Sequence, residues 1–141
     1  MPYRHVLTVY DGTPESDDLL DMVCRIARPH HAELTILHVR LVPLAEPLPT
    51  YQAGADAELD AVISRAEKFA DKRGVKAAPA MRYGRTLGAA AVAEARVRGA
   101  DLLALLAPDV DRLQSDRSLG ADIETVLRRA TCAVIFCRPK R

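Results

Sequence analysis

The chain has 141 residues, enough for one domain with an ordinary core, and we expect residues 1–141 to form a single domain. Hydrophobic residues make up 49% of the chain, which excludes an intrinsically disordered protein. The 20 basic and 19 acidic residues are interspersed, which argues against a nucleic-acid-binding surface. The sequence has no long apolar run and no metal-ligand spacing among its three cysteines. We therefore predict a cytoplasmic protein that contacts no membrane and holds no metal ion.

The first apolar segment, residues 5–10, has the composition of a β-strand and is followed by an Asp-Gly turn signal. Thr13 suits the N-cap of a helix, and Pro14 suits its first position. We predict that this helix ends at Pro29, because proline has no N–H to donate within a helix.

The middle of the chain contains two further strands and one helix. Residues 33–39 are predicted to form the second strand, and residues 41–54, with three prolines, an extended connection. Apolar residues at helical spacing predict a helix over residues 56–73. Residues 75–83 form a weaker strand, which Pro79 places at an edge of the sheet.

The last third of the chain carries one more helix and a strand–loop–helix–strand unit. Leu87–Arg98 is predicted to be helical, and Leu102–Leu106 and Ala133–Cys137 are short apolar strands. A polar loop over residues 107–119 separates the first of these strands from an amphipathic helix. The predicted buried face of that helix consists of Ile123, Val126, Leu127 and Ala130.

Strands and helices thus alternate throughout, with five strands and four helices. This alternation predicts an α/β fold in which a doubly wound parallel sheet carries helices on both faces. In such sheets ligands bind at the carboxyl ends of the strands. The function therefore depends on what the loop at residues 107–120 can hold.

Five segments, taken in order, resemble the universal stress protein family over essentially the whole chain. They are VLTVYDGT at residues 6–13, AELTILHV at 32–39, Gly84, GADLL at 99–103 and CAVI at 132–135. The resemblance implies an adenine-nucleotide alpha-hydrolase-like fold with strand order 3-2-1-4-5. It also implies that the turn at Asp11 faces the loop at residues 107–120 across the switch point between strands one and four.

Nucleotide-binding members of this family carry the loop G-x2-G-x9-G-(S/T) after strand four. Glycines let backbone N–H groups approach phosphate oxygens, and the last two residues open a helix N-terminus toward the anion. This chain has Ala107 and Val110 at the first two positions and Gly120-Ala121 at the last two. Val110 is β-branched and is a poor substitute for a glycine in an unusual backbone conformation. The loop also contains three aspartates, at positions 109, 111 and 116, which repel phosphates.

The other side of the pocket is retained in part. Asp11 matches the residue that contacts the adenine side in the family, although an aspartate after a strand also forms an Asx-turn. Val9 and Tyr10 stand where many members have Pro-Val, so Tyr10 reshapes or fills the adenine pocket. We therefore predict a degenerate cofactor pocket of doubtful occupancy. Its residues are Tyr10, Asp11, Val39, Ala107, Val110, Gly120 and Ala121.

The resemblance and the altered loop together predict a non-enzymatic module for stress response or signalling that binds no cofactor. The protein is expected to form a homodimer through Ala133–Cys137, which is an apolar outer strand. It could also have a further, unknown protein partner. The alternative is a stress sensor that binds ATP or AMP, with magnesium, through a divergent loop. A hydrolase or nucleotidyl-transferring enzyme ranks last, because the sequence offers no nucleophile with an acid and a base.

Overall fold

A computed structural model describes residues 3–49, 57–107 and 117–138. Strands and helices alternate along it: β1 (His5–Val9), α1 (Pro14–His30), β2 (Glu33–Leu41), α2 (Ala57–Lys72), β3 (Ala77–Gly84), α3 (Leu87–Arg98), β4 (Leu102–Leu106), α4 (Arg117–Arg129) and β5 (Ala133–Cys137). The strands form one parallel sheet in the order β3-β2-β1-β4-β5. The predicted fold class, strand order and number of helices are confirmed.

Two hydrophobic layers hold the helices on the sheet, because successive strand residues point to opposite faces. Helices α1 and α2 cover one face, where the buried residues include Leu19, Leu20, Val23, Ala66 and Ala70 against Val6, Leu34, Ile36 and Leu102. Helices α3 and α4 cover the other, where they include Ala91, Val92, Ala95 and Val126 against Leu7, Leu37 and Leu103. The small residues of α3 allow it to lie close to the sheet.

Helix α1 continues through Pro29, which does not end it as predicted. In the last turn a proline removes only one intrahelical hydrogen bond, and that loss is tolerated. The helix instead ends at His30, and its C-cap residue His31 has a φ of 51°, in the left-handed region. The N–H groups of His31 and Ala32 donate to the carbonyls of Arg28 and Ala27 and so close the helix.

Helix α4 differs from the prediction at its start and on one side. It begins at Arg117, inside the segment 107–119 that was predicted to be a loop. Val126 is buried as predicted, but Leu127 is 64% exposed. The prediction for Leu127 was wrong because the described contacts of α4 are with α3 and the sheet, and the predicted apolar face extends further round the helix than these contacts cover.

The connection after β2 is shorter than predicted. Strand β2 extends to Leu41, two residues past the predicted end, because Arg40 and Leu41 still pair with Tyr83 and Gly84 of β3. Residues 42–49 belong to no helix or strand, and positions 50–54 of the predicted connection lie outside the described residues.

Candidate functional site

The sheet reverses its strand order at β1, which lies between β2 and β4. The carboxyl ends of β1 and β4 therefore flank the switch point, where ligands bind in folds of this type. On the β1 side the chain continues into Tyr10 and Asp11, and on the β4 side into Ala107. Residues 108–116, which include the predicted site residue Val110, lie outside the described residues.

Tyr10 lies in the core and not on an open surface. It is 1% exposed and packs in the layer that α1 and α2 cover. Its hydroxyl donates to Asp17 Oδ1 at 2.5 Å, and the other oxygen of Asp17 accepts from Arg65 of α2. Burial, reinforced by the Asp17 carboxylate, raises the pKa of Tyr10 above its ordinary value. Tyr10 thus links the end of β1 to α1 and α2.

The Asp11 carboxylate is used by the chain itself. Its Oδ1 atom accepts from the Thr13 N–H at 2.9 Å, the Thr13 hydroxyl at 2.6 Å and the Ser16 hydroxyl at 2.7 Å. Burial disfavours the charged form, but these hydrogen bonds outweigh it and lower the pKa of Asp11. Thr13 is the predicted N-cap of α1 and accepts from the Ser16 N–H. Asp11 therefore organises the start of α1, the role of an Asx-turn.

Two further contacts fix the turn after β1. His38 of β2 donates from Nδ1 to the Tyr10 carbonyl at 3.0 Å, and its charge contributes to lowering the pKa of Asp11. Gly12 has a φ of +83°, and a Cβ added there would lie 3.2 Å from a methyl group of Val62 in α2. His38 was not predicted as a neighbour of the site, since its proximity depends on the register between β1 and β2.

Val39 lies on the opposite face of the sheet from Tyr10. It packs, partly buried, against the layer under α3 and α4 and pairs with Arg82 in β3. The side chains of Tyr10 and Val39, both predicted site residues, therefore lie on opposite faces of the sheet. Of the predicted set, Tyr10 and Asp11 adjoin each other, and Val39 borders the other side.

The β4 side offers few groups to a ligand in its described part. The Ala107 N–H donates to the carbonyl of Cys137 at 2.6 Å, so it serves the pairing of β4 with β5. Gly120 and Ala121 lie at the fourth and fifth positions of α4. A Cβ added to Gly120 would meet no described atom within 4 Å, and Ala121 is exposed.

The described part of the chain offers no metal site, no membrane-spanning helix and no reactive thiol at Cys24. Among residues 3–49, 57–107 and 117–138, no three His, Cys, Asp or Glu side chains are grouped so as to hold a metal ion. None of the helices described is long and apolar enough to cross a membrane. Cys24 is buried in the core, and this burial raises its pKa to about 11, so its thiol is a poor nucleophile at neutral pH.

Comparison with solved structures shows the same fold in several stress proteins. A universal stress protein in complex with cAMP has a TM-score of 0.75 at 21% identity, with 98% of each chain covered. UspA from Lactobacillus plantarum has a TM-score of 0.74 at 19% identity, with 98% of this chain and 99% of that chain covered. A universal stress protein from Archaeoglobus fulgidus in complex with dAMP has a TM-score of 0.69 at 15% identity, with coverage of 96% and 98%.

Comparison of the sequence with curated proteins found no match. Comparison with models of protein families gives a result that agrees with the structural similarity. The model of the universal stress protein family matches residues 2–138, which is nearly the whole length. The resemblance seen in the sequence is thereby confirmed, and the chain belongs to the universal stress protein family.

Proposed function

We propose that the chain is a one-domain, cytoplasmic, non-enzymatic stress-response module that works as a homodimer and binds ATP weakly or not at all. The position of Gly120 carries the proposal about ATP. In the family's loop the last glycine opens a helix, so that free N–H groups face the phosphates. Here α4 begins three residues earlier, and the N–H of Ala121 falls within the reach of an intrahelical acceptor.

The remaining groups at the switch point support the same conclusion. Asp11 Oδ1 already accepts three hydrogen bonds from Thr13 and Ser16, which leaves less of the carboxylate for a ligand. Ala121 has no hydroxyl for a phosphate or for magnesium. The aspartates at positions 109, 111 and 116 add repulsion, which amounts to about 1–4 kcal/mol for each close pair of charges.

Titration calorimetry with ATP and magnesium tests this proposal. We expect no saturable binding at micromolar ATP, since micromolar affinity needs about 8 kcal/mol. The triple variant Ala107→Gly/Val110→Gly/Ala121→Ser restores the glycines and the hydroxyl of the family's loop and should gain binding. Ala121→Ser alone serves as its control and should not. A dissociation constant of about 10 μM or tighter for the unaltered chain would contradict the proposal.

A sensor of adenine mononucleotides is the second candidate, and a specific observation favours it. Two of the similar proteins were solved in complex with cAMP and with dAMP, ligands with a single phosphate. One phosphate requires fewer N–H donors than three, so an altered loop weakens its binding less. The same calorimetry with AMP and cAMP separates the two candidates. Micromolar binding of AMP without binding of ATP would favour the sensor.

The homodimer is proposed to form through β5, because the two outer strands of the sheet differ. In β5, Ala133 and Cys137 bond to the β4 side, so by alternation the N–H and C=O groups of Val134 and Phe136 point outward. No proline interrupts this strand. In β3 the outward position is occupied by Pro79, which cannot donate to a neighbouring chain. The β5 edge is therefore the one suited to pairing.

Sedimentation at several protein concentrations tests the dimer. We expect an average mass near twice that of the chain at tens of micromolar, roughly the range in which such assays are run. Val134→Pro removes an outward N–H without touching the bonds to β4 and should give monomers, whereas Val134→Ala should leave the dimer intact. A concentration-independent monomer for the unaltered chain would refute the assembly.

A further inference from the structure

A cavity of about 450 Å³ lies at the amino-terminal edge of the sheet, at the opposite end from the switch point. It is lined by the first residues of β1, β2 and β3 and by the last turn of α3, including His5, Glu33, Thr35, Lys76, Ala78 and Arg98. Its volume lies within the range of about 300–1,000 Å³ that is usual for small-molecule sites.

The cavity exists because the sheet extends beyond the part of α3 that covers it. Leu37 and Ala80 are buried under α3. Thr35 and Ala78 each lie two residues earlier on the same strands and so point to the same face. Ala78 is small and exposed, and it leaves open the space that a larger side chain would fill.

The lining carries more positive than negative charge. Lys76 is exposed and has no hydrogen bond or ion pair among the described residues. Arg98 is held in place by Glu94, with 3.5 Å between Nε and Oε1, and the other oxygen of Glu94 faces Arg82 at 3.4 Å. The buried Glu94 carboxylate therefore pairs with the guanidinium groups of both Arg82 and Arg98. These three side chains together carry a net charge of +1. Glu33 is the one carboxylate that lines the cavity among described residues.

The helix ends at this edge do not oppose an anion strongly. The carbonyl groups at a helix C-terminus carry partial negative charge, which would repel an anion if they were free. The N–H groups of His31 and Ala32 bond to two of the last four carbonyls of α1, and those of Gly99 and Ala100 bond to two of the last four carbonyls of α3. Both helix ends are therefore closed by the chain itself.

We propose that this cavity binds a small organic anion. Its carboxylate or phosphate group lies between Lys76 and Arg98, the two cations of the lining. Its body lies over Ala78 and over the pair formed by His5 Nε2 and the Thr35 hydroxyl, which are 2.8 Å apart and offer a polar floor. The site is independent of the switch point, so neither outcome of the nucleotide titrations decides it.

Nuclear magnetic resonance of the full chain labelled with nitrogen-15 tests the proposal. Glycerol 3-phosphate and succinate, titrated separately up to about 10 mM, distinguish a phosphate from a carboxylate ligand. We expect saturable shifts of the Ala77 and Ala78 amide signals with one of them, and none at Gly12. Lys76→Gln/Arg98→Gln should weaken binding at least about tenfold, since charged hydrogen bonds are lost. Ala78→Leu should abolish binding by filling the cavity at unchanged charge.

Arg65→Gln/Arg85→Gln is the matched control, because it removes two exposed cations at the opposite edge of the sheet, where Arg65 pairs with Asp17 near the start of α1 and Arg85 follows β3. It should leave binding unchanged. Equal weakening by the control pair would mean a non-specific charge effect, and it would overturn the proposal. So would the absence of shifts with both anions, or full binding by Ala78→Leu. Circular dichroism of each variant verifies that it is folded.

Discussion

The two strand ends that flank the switch point are built differently. After β1, the polar groups of the turn bond to one another: Asp11 Oδ1 alone receives three hydrogen bonds, and Ser16 is completely buried. After β4, the Ala107 N–H bonds to the neighbouring strand β5, and a Cβ added to Gly120 in α4 would meet no described atom within 4 Å. The chain after β1 is thus fixed by side-chain hydrogen bonds, whereas the described chain after β4 is held by the packing of helix α4.

This difference separates two reasons for a residue to match a family motif. Asp11 matches the family and is accounted for by its capping of α1, so its presence does not by itself indicate a ligand. Gly120 also matches, but nothing in the described surroundings requires a glycine there. The predictions below test these two strand ends, in order from the largest expected effect to the smallest.

Gly88→Ala should have the largest effect, because it disturbs the packing that holds α4. The Gly88 N–H donates to Asp122 Oδ1 at 2.9 Å, and an added Cβ would lie 2.7 Å from the Asp122 carbonyl oxygen. A backbone atom cannot move aside cheaply, so we expect a loss of about 2–3 kcal/mol in the free energy of unfolding. Urea denaturation followed by circular dichroism measures it. A loss below about 0.5 kcal/mol would mean that α4 adjusts freely.

Asp11→Ala should have the next largest effect, a loss of about 2 kcal/mol at pH 7. It removes the acceptor of the Thr13 and Ser16 hydroxyls at the start of α1. Glu15→Ala, at an exposed position of the same turn, is the matched control and should cost well under half as much. Equal losses for both would show that the hydrogen bonds to Asp11 contribute little.

The effect of Asp11 should also depend on pH. Because the pKa of Asp11 is lower in the folded chain than its ordinary value of 3.8, its charge stabilises the fold above that pH. This stabilisation is lost as the pH falls below about 4, toward the lowered pKa. The difference between the unaltered chain and Asp11→Ala should therefore shrink between pH 5 and pH 2, roughly the range in which carboxylates titrate. A difference that is constant over this range would exclude a contribution from the charge.

Much of the fold could be predicted because local signals agree with it. Thr13, Thr86 and Gly99 cap the helices as their residue types suggest, and the β-α alternation implies a parallel sheet. The errors at Pro29 and Leu127 have two separate causes. Pro29 does not end α1 because a proline in the last turn costs only one intrahelical hydrogen bond. The exposure of Leu127 depends on where α4 lies relative to its neighbours, which the periodicity of one segment does not contain.

The site was predicted less completely than the fold. Asp11 could be found because it follows a strand directly, at the sheet edge where ligands bind. The Asx-turn of Asp11 was predicted as the alternative to a ligand contact, and the Thr13 N–H forms it. The additional hydrogen bonds from the Thr13 and Ser16 hydroxyls were not predicted, although Thr and Ser at these spacings are a signal for capping. The contact of His38 with Tyr10 and the burial of Tyr10 against α1 follow only from strand register and helix packing.

Tyr10→Phe should have a smaller effect, a loss of about 1 kcal/mol, because it removes one hydrogen bond to Asp17 and leaves the ring in place. Asp17 keeps its ion pair with Arg65, so no carboxylate is stranded. Thermal and urea unfolding measure the loss. The matched control is Tyr83→Phe on β3, which should be nearly neutral because Tyr83 is partly exposed. A neutral Tyr10→Phe would show that the link between β1 and α1 rests on apolar packing alone.

Gly120→Ala should have the smallest effect, and one of opposite sign. A glycine inside a helix costs about 0.5–1 kcal/mol relative to alanine, through the entropy of the unfolded chain and the exposure of the backbone. Since an added Cβ meets no described atom within 4 Å, we expect Gly120→Ala to stabilise the chain by up to about that amount. Gly88→Ala and Gly120→Ala are the same substitution at two helical positions. Comparing their effects on stability therefore separates steric conflict from helix propensity. Destabilisation by Gly120→Ala would mean that this position needs a glycine, as in an intact phosphate loop, and would count against the proposed weak binding of ATP.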